Sequence, residues 1–141
     1  MILLDTPVIS ALMDPEPDPR LLNWFAANPA ATLFISTVTE AELLAAAARL
    51  PDGLRQRTIA QLDAMVTEDF AGRVLTLDSA AARDLAAILA RAARLGQAIP
   101  LAAAQNAAIA RANGARVATL APALFAVTGV ETVNPLDQDP R

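Results

Sequence analysis

The sequence predicts an α/β fold: one domain with a central, mostly parallel sheet of about five short strands and helices on both faces. Short continuous apolar runs recur at Ile2-Leu3-Leu4, Leu33-Phe34-Ile35, Val74-Leu75-Thr76-Leu77, Val117-Ala118-Thr119 and residues 130–133. Uninterrupted runs of this kind are what strands covered on both faces require. Helical segments with start and stop signals separate them. The length of 141 residues suits a single core.

In chain order, the first strand stops at Asp5, and Thr6-Pro7 supply an N-cap and first helical position for a helix to about Met13. Three prolines within residues 14–19 break regular structure, and Pro19 opens a second helix with Leu22, Trp24 and Phe25 on its apolar face. Asn28-Pro29 ends it. After the second strand, residues 40–50 form a helix in which Ala41, Leu44, Ala45 and Ala48 share a face. Pro51-Asp52-Gly53 turns the chain into a helix over about residues 54–68, with Leu54, Ile59, Leu62 and Met65 apolar. Asp78 caps a helix that runs to Gly96, and a last helix from Pro100 stops at Asn113-Gly114. The domain spans residues 1–141, of which 134–141 form a polar tail liable to fray. No repeat or linker interrupts it.

Apolar residues make up 55% of the chain and charged residues 18%, yet no apolar run approaches the ~18 residues of a membrane span. The opening residues lack a basic n-region and reach a carboxylate after three apolar positions, which predicts no secretory signal and a cytoplasmic protein away from membranes. The chain has no Cys and no His. Disulfides, thiolate chemistry, imidazole bases and the commonest zinc ligands are thereby excluded. No phosphate-binding glycine loop occurs, and the serines have no imidazole to activate them. Chemistry is left to carboxylates, hydroxyls and the 11 basic residues, all Arg. The net charge of −4 disfavours a broad nucleic-acid footprint.

In parallel sheets, functional groups gather at the carboxyl edge, where Asp5 lies. A carboxylate there demands compensation, and Asp5 admits two readings of equal weight, helix N-cap or metal ligand. Glu40 and Glu42 open the helix after the second strand, where the helix dipole favours acids. They face different ways, so Glu42 can point toward Asp5 while Glu40 meets solvent. Asp78 reads as a cap. Arg83, Arg91 and Arg94 on one helix, and Arg49, Arg55 and Arg57 around an earlier turn, read as solvated faces before they read as a phosphate-contacting patch.

The opening Met-Ile-Leu-Leu-Asp-Thr-Pro-Val-Ile-Ser resembles the start of VapC-like PIN domains, whose first strand ends in Asp-Thr-Asn carrying the first metal ligand; Asp5 is that match. The likeness continues through residues 33–43, where the family's second acid falls on Glu42. Phe70-Ala71-Gly72-Arg73-Val74-Leu75, Ala107-Ala108-Ile109-Ala110, Thr128-Gly129-Val130 and Val133-Asn134-Pro135 follow in family order. The resemblance implies a toxin of a toxin–antitoxin pair, an endoribonuclease using Mg²⁺ or Mn²⁺. It further implies a homodimer that binds a VapB-like antitoxin, reaches operator DNA only through it, and takes RNA as substrate.

Asp5 and Glu42 are the catalytic and metal-binding residues that the resemblance assigns. Four polar family positions have been replaced. Pro7 stands where the family has Asn, Ala103 where a third acid opens a helix, Ala121 at a second Asn, and Leu124 at the Asp of an Asp-Phe pair. The resemblance therefore implies either a severely impaired ribonuclease or a non-catalytic PIN domain kept for antitoxin binding and operon regulation. An active enzyme recruiting Glu40 or Asp78 in place of the missing acids is the other reading.

Overall fold

The computed structural model describes residues 1–137. Its sheet has five parallel strands in the order β3-β2-β1-β4-β5, with β1 (Ile2–Leu4) at the centre. On one side lie β2 (Leu33–Ser36) and β3 (Val74–Leu75), and on the other β4 (Arg116–Ala118) and β5 (Thr132–Val133). The chain builds outward from β1 to β3 and then returns to the far side of β1. The topological switch point therefore falls at the central strand, the place where parallel sheets open a crevice at their carboxyl ends.

Side-chain alternation along the short strands feeds two cores. Ile2, Leu4, Leu33, Ile35 and Ala118 face one layer, where Val8, Ile9, Leu21, Trp24, Leu43 and Leu62 meet them. That layer comprises α1 (Thr6–Leu12), α2 (Pro19–Ala27), α3 (Thr37–Ala47) and α4 (Leu54–Ala64). Leu3 and Val117 face the other way, onto Ile88 of α5 (Ser79–Leu95) and the small side chains of α6 (Leu101–Ala112). Alanine allows α6 to lie close: Ala104, Ala107, Ala108 and Ala110 are wholly buried. The fold class, the parallel sheet and the helical cover are those that the sequence predicts.

Several local expectations change. The buried face of α3 is Thr39, Leu43 and Ala47, whereas Ala41, Ala45 and Ala48 face solvent and Leu44 is half-buried. An alanine-rich helix has almost no apolar asymmetry, so its periodicity cannot say which side packs. The helix also starts earlier than residue 40, because Ser36 caps it by accepting from the Thr39 amide at 3.1 Å. In α2 the inward residues are Leu21 and Trp24, and Leu22 is exposed. Leu54 is exposed at the first turn of α4, and Leu77 lies outside β3. The segment Pro122–Thr128, which carries no strong periodicity, forms a 3-10 helix that buries Phe125. Of the tail expected over 134–141, residues 134–137 make a turn in which Asn134 accepts from the Leu136 amide, Pro135 is buried and Leu136 packs on the first core. Residues 138–141 lie outside the described residues.

Arg73 fastens the outer edge of the sheet. Its guanidinium donates to the carbonyls of Ala30, Leu33 and Asp69 and lies 5.1 Å from the centre of the Phe70 ring. Gly72 precedes it at φ 73°, a left-handed conformation that admits glycine without strain. The Arg73 fork thus ties the entry to β3 to the start of β2. Arg73→Ala should lower unfolding free energy by about 1–3 kcal/mol, since each guanidinium bond to a carbonyl is charge-assisted. Urea denaturation with an unchanged m-value is the measurement that checks it.

Candidate metal and nucleic-acid site at the carboxyl edge

Three polar residues sit at the carboxyl ends of the three central strands: Asp5 after β1, Ser36 closing β2, and Thr119 after β4. All three are buried. Asp5 occupies the N-cap position of α1 without making a side-chain cap bond there. Its carboxylate turns instead into the sheet edge, where Oδ1 accepts from Asn106 Nδ2 at 3.1 Å and Oδ2 from Thr119 Oγ1 at 3.2 Å. Its backbone N–H extends the sheet, donating to the Ala118 carbonyl at 2.9 Å.

Asn106 comes from α6, where it is the one buried polar side chain among alanines, and it is fully enclosed. Its Nδ2 also reaches Thr39 Oγ1 at 3.2 Å, and its Oδ1 accepts from Ser36 Oγ at 2.5 Å. Thr39 in turn meets Thr6 Oγ1 at 2.9 Å, and Thr6 donates to Glu42 Oε1 at 2.6 Å. Among the described residues no buried side-chain polar atom is left without a partner.

Outside this network lies an open cleft of about 410 Å³ lined by Asp5, Thr6, Pro7, Ser10, Glu42, Pro100, Ala102, Ala103 and Leu124. Asp5 and Glu42 meet there as the sequence predicts, Asp5 recessed and Glu42 exposed. Pro7, Ala103 and Leu124, three of the replaced positions, form its apolar walls. Ala121 stands behind, its amide donating to Thr119 Oγ1 at 3.1 Å. Glu40 lines a separate crevice with Leu43, Leu44 and Leu62, and Asp78 caps α5 through the Ala81 amide at 2.9 Å. Neither joins the cleft. Arg83, Arg91 and Arg94 lie exposed on α5, Arg49 and Arg57 are exposed, and Arg55 pairs with Asp52. Among the described residues the cleft lining contains no arginine. Among the described residues no group of three or more acids is placed to hold a metal ion.

Burial pushes the Asp5 carboxyl above its ordinary value of 3.8. Hydrogen bonds from Asn106, the Thr6 amide and Thr119 oppose that rise, and the neighbouring Glu42 charge adds to it. Desolvation wins.

Sequence reasoning found the two carboxylates and missed the side chains that hold them: Asn106, Thr39, Ser36, Thr6 and Thr119. Two signals were available. An Asn inside an alanine-rich helix has poor helix propensity and needs a tertiary reason. A Thr just past an apolar strand beside β1 mirrors the position of Asp5.

A five-stranded parallel sheet whose central strand ends in a recessed carboxylate, beside a cleft shared with a second carboxylate, defines the class of α/β domain. The PIN domain profile matches residues 2–125, and the chain belongs to that family. It is 42% identical over 137 residues to the VapC ribonuclease Y4jK of Sinorhizobium fredii, covering 96% of this chain and 97% of that protein. The crystal structure of FitAcB from Neisseria gonorrhoeae superposes with a TM-score of 0.91 at 32% identity, over 98% of this chain and all of that one, 100%. The DNA-bound VapBC structure from Salmonella typhimurium gives a TM-score of 0.75 at 26% identity, over 95% and 97% of the two chains.

The raised Asp5 value fixes the sign of a pH effect. A carboxyl that titrates higher in the fold than in the unfolded chain favours the fold below 3.8, and that contribution is lost as pH rises through the folded-state value. Asp5→Asn should therefore flatten stability against pH above 3.8, and at neutral pH should be at least as stable as the parent in metal-free buffer. Thermal denaturation of both proteins over the acid and neutral range checks it; a variant markedly less stable at pH 7 contradicts it.

Proposed function

We propose that the protein is the VapC-like member of a toxin–antitoxin pair whose metal-dependent endoribonuclease activity is severely impaired. The observation that carries this reading is the composition of the cleft: two carboxylates and the hydroxyls of Thr6 and Ser10, with proline, alanine and leucine around them and, among the described residues, no basic side chain. A phosphodiester is an anion, and two carboxylates without a cation repel it. A bound Mg²⁺ or Mn²⁺ would reverse that, polarising the phosphate and lowering the pKa of a metal-held water.

The donors present fit such an ion poorly. Both Asp5 oxygens and one Glu42 oxygen already accept hydrogen bonds from the protein, and among the described residues no third acid completes a coordination sphere. Mg²⁺ can bind through one or two carboxylates when substrate phosphates help, so Asp5 and Glu42 are the residues that would contact it. Their hold on it would be weak. Loss of one electrostatic contact to a transition state costs ~10²-fold or more in rate.

Retention as a binding partner is the companion reading, favoured by where the substitutions fall. Polar losses are confined to the cleft and its rear, while both apolar cores are intact. On this reading the domain forms a homodimer in the cytoplasm, binds a small VapB-like antitoxin and reaches operator DNA through it. The DNA-bound VapBC relative and the relative named a VapC ribonuclease support a partnership of this kind. For the membrane, the structure bears only on helices: among the described residues none is long and apolar enough to cross one.

Purified protein should give no Mg²⁺- or Mn²⁺-stimulated cleavage of structured RNA above the metal-free rate, assayed on denaturing gels. Restoring acids with Ala103→Asp plus Leu124→Asp should recover divalent-cation affinity, read by titration calorimetry. Efficient cleavage by the unmodified protein would sink the impaired-site reading. For the partnership, the product of a short reading frame beside the gene should co-purify with this protein as a complex of defined stoichiometry.

A further inference from the structure

Donor counting around Asn106 fixes the direction of every hydrogen bond in the buried network. The Thr39 amide donates to Ser36 Oγ, so the Ser36 proton goes to its other partner among the described residues, Asn106 Oδ1. That orients the Asn106 amide without ambiguity and aims both Nδ2 protons away from Ser36, at Asp5 and Thr39. Thr39 Oγ1, having accepted from Asn106, donates to Thr6, and Thr6 donates to Glu42 Oε1. Asp5 and Glu42 are thus the two terminal acceptors of one directional chain that branches at Asn106. A buried carboxylate needs positive charge or donors around it, and here an amide set in the wall of α6 provides donors.

We propose that Asn106 is a positioning residue that takes the place of a cation, holding Asp5 and, through Thr39 and Thr6, Glu42 in a fixed arrangement that does not require a metal. The inference rests on the impaired-site reading and extends it. Ala103, one helical turn before Asn106, leaves the mouth of the cleft apolar while the compensating group sits beneath it. The separation of 3.1 Å between Nδ2 and Asp5 Oδ1 is also close to the ~3.0 Å between adjacent oxygens of an octahedral Mg²⁺ or Mn²⁺. An oxygen in place of that nitrogen would convert the contact from a hydrogen bond into a pair of metal donors.

The experiment is a double-mutant cycle in EDTA with thermal unfolding as readout, joined to a metal titration. Asn106→Ala should lower Tm by about 5–10 °C, and by less than half as much when Asp5 is already Ala. An equal loss in both backgrounds overturns the proposal. Should Asn106→Ala give no folded protein, the Asp5→Ala/Asn106→Ala pair decides: a folded pair supports the coupling and an unfolded one refutes it. Asn106→Asp should unfold at lower temperature in EDTA and regain the loss in millimolar Mn²⁺, while the parent is indifferent to both. An Asn106→Asp protein unmoved by Mn²⁺ rejects the cation-substitute role, which a merely structural asparagine would not show. RNA cleavage by the parent protein would defeat the impaired-site reading and leave the Asp5–Asn106 coupling standing, so the two failures are distinguishable.

Discussion

The constraint on which the site depends is that Asp5 is a carboxylate buried at the end of the central strand. An ion in that position is tolerated only where its lone pairs are met, because the interior solvates charge poorly. The fold meets them from two directions: α6 through Asn106, and the residue after β4 through Thr119. Even so, burial prevails over these bonds and raises the carboxyl above its ordinary value. The site is held together by donors that only partly offset the cost of its own central charge.

Topology explains why those donors converge. With β1 in the middle of a five-stranded parallel sheet, its carboxyl end is flanked by the ends of β2 and β4, which deliver Ser36 and Thr119. The helices leaving β1 and β2 add Thr6 and Thr39 from their first turns and Glu42 from the second turn of α3. Helix α6 crosses the second face closely because its inward residues are alanines, and that approach lets the short Asn106 side chain reach Asp5. Packing and electrostatics are therefore one problem here: a bulkier α6 face would carry the amide out of range.

Much of the fold was legible in the residues. Runs such as Leu33-Phe34-Ile35 and caps such as Asp78 and Gly96 act locally, through side-chain oxygens and left-handed glycine, so they mark element type and boundary directly. The pairing of Asp5 with Glu42 was also legible, through resemblance to the PIN family. The inward face of α3 was not, since alanine on every side removes the contrast that periodicity needs. Nor was the 3-10 segment Pro122–Thr128, whose shape follows from burying Phe125.

By itself, then, the sequence determined an α/β domain, its strand and helix order, and the absence of imidazole and thiol chemistry. These follow from short-range propensities and from which functional groups exist at all. Tertiary structure decided that Glu40 and Asp78 stand apart from the cleft, and that Asn106, 101 positions from Asp5 along the chain, is its hydrogen-bond partner. Such contacts depend on strand order and on how near α6 approaches the sheet, and neither quantity is written in any local stretch of the chain.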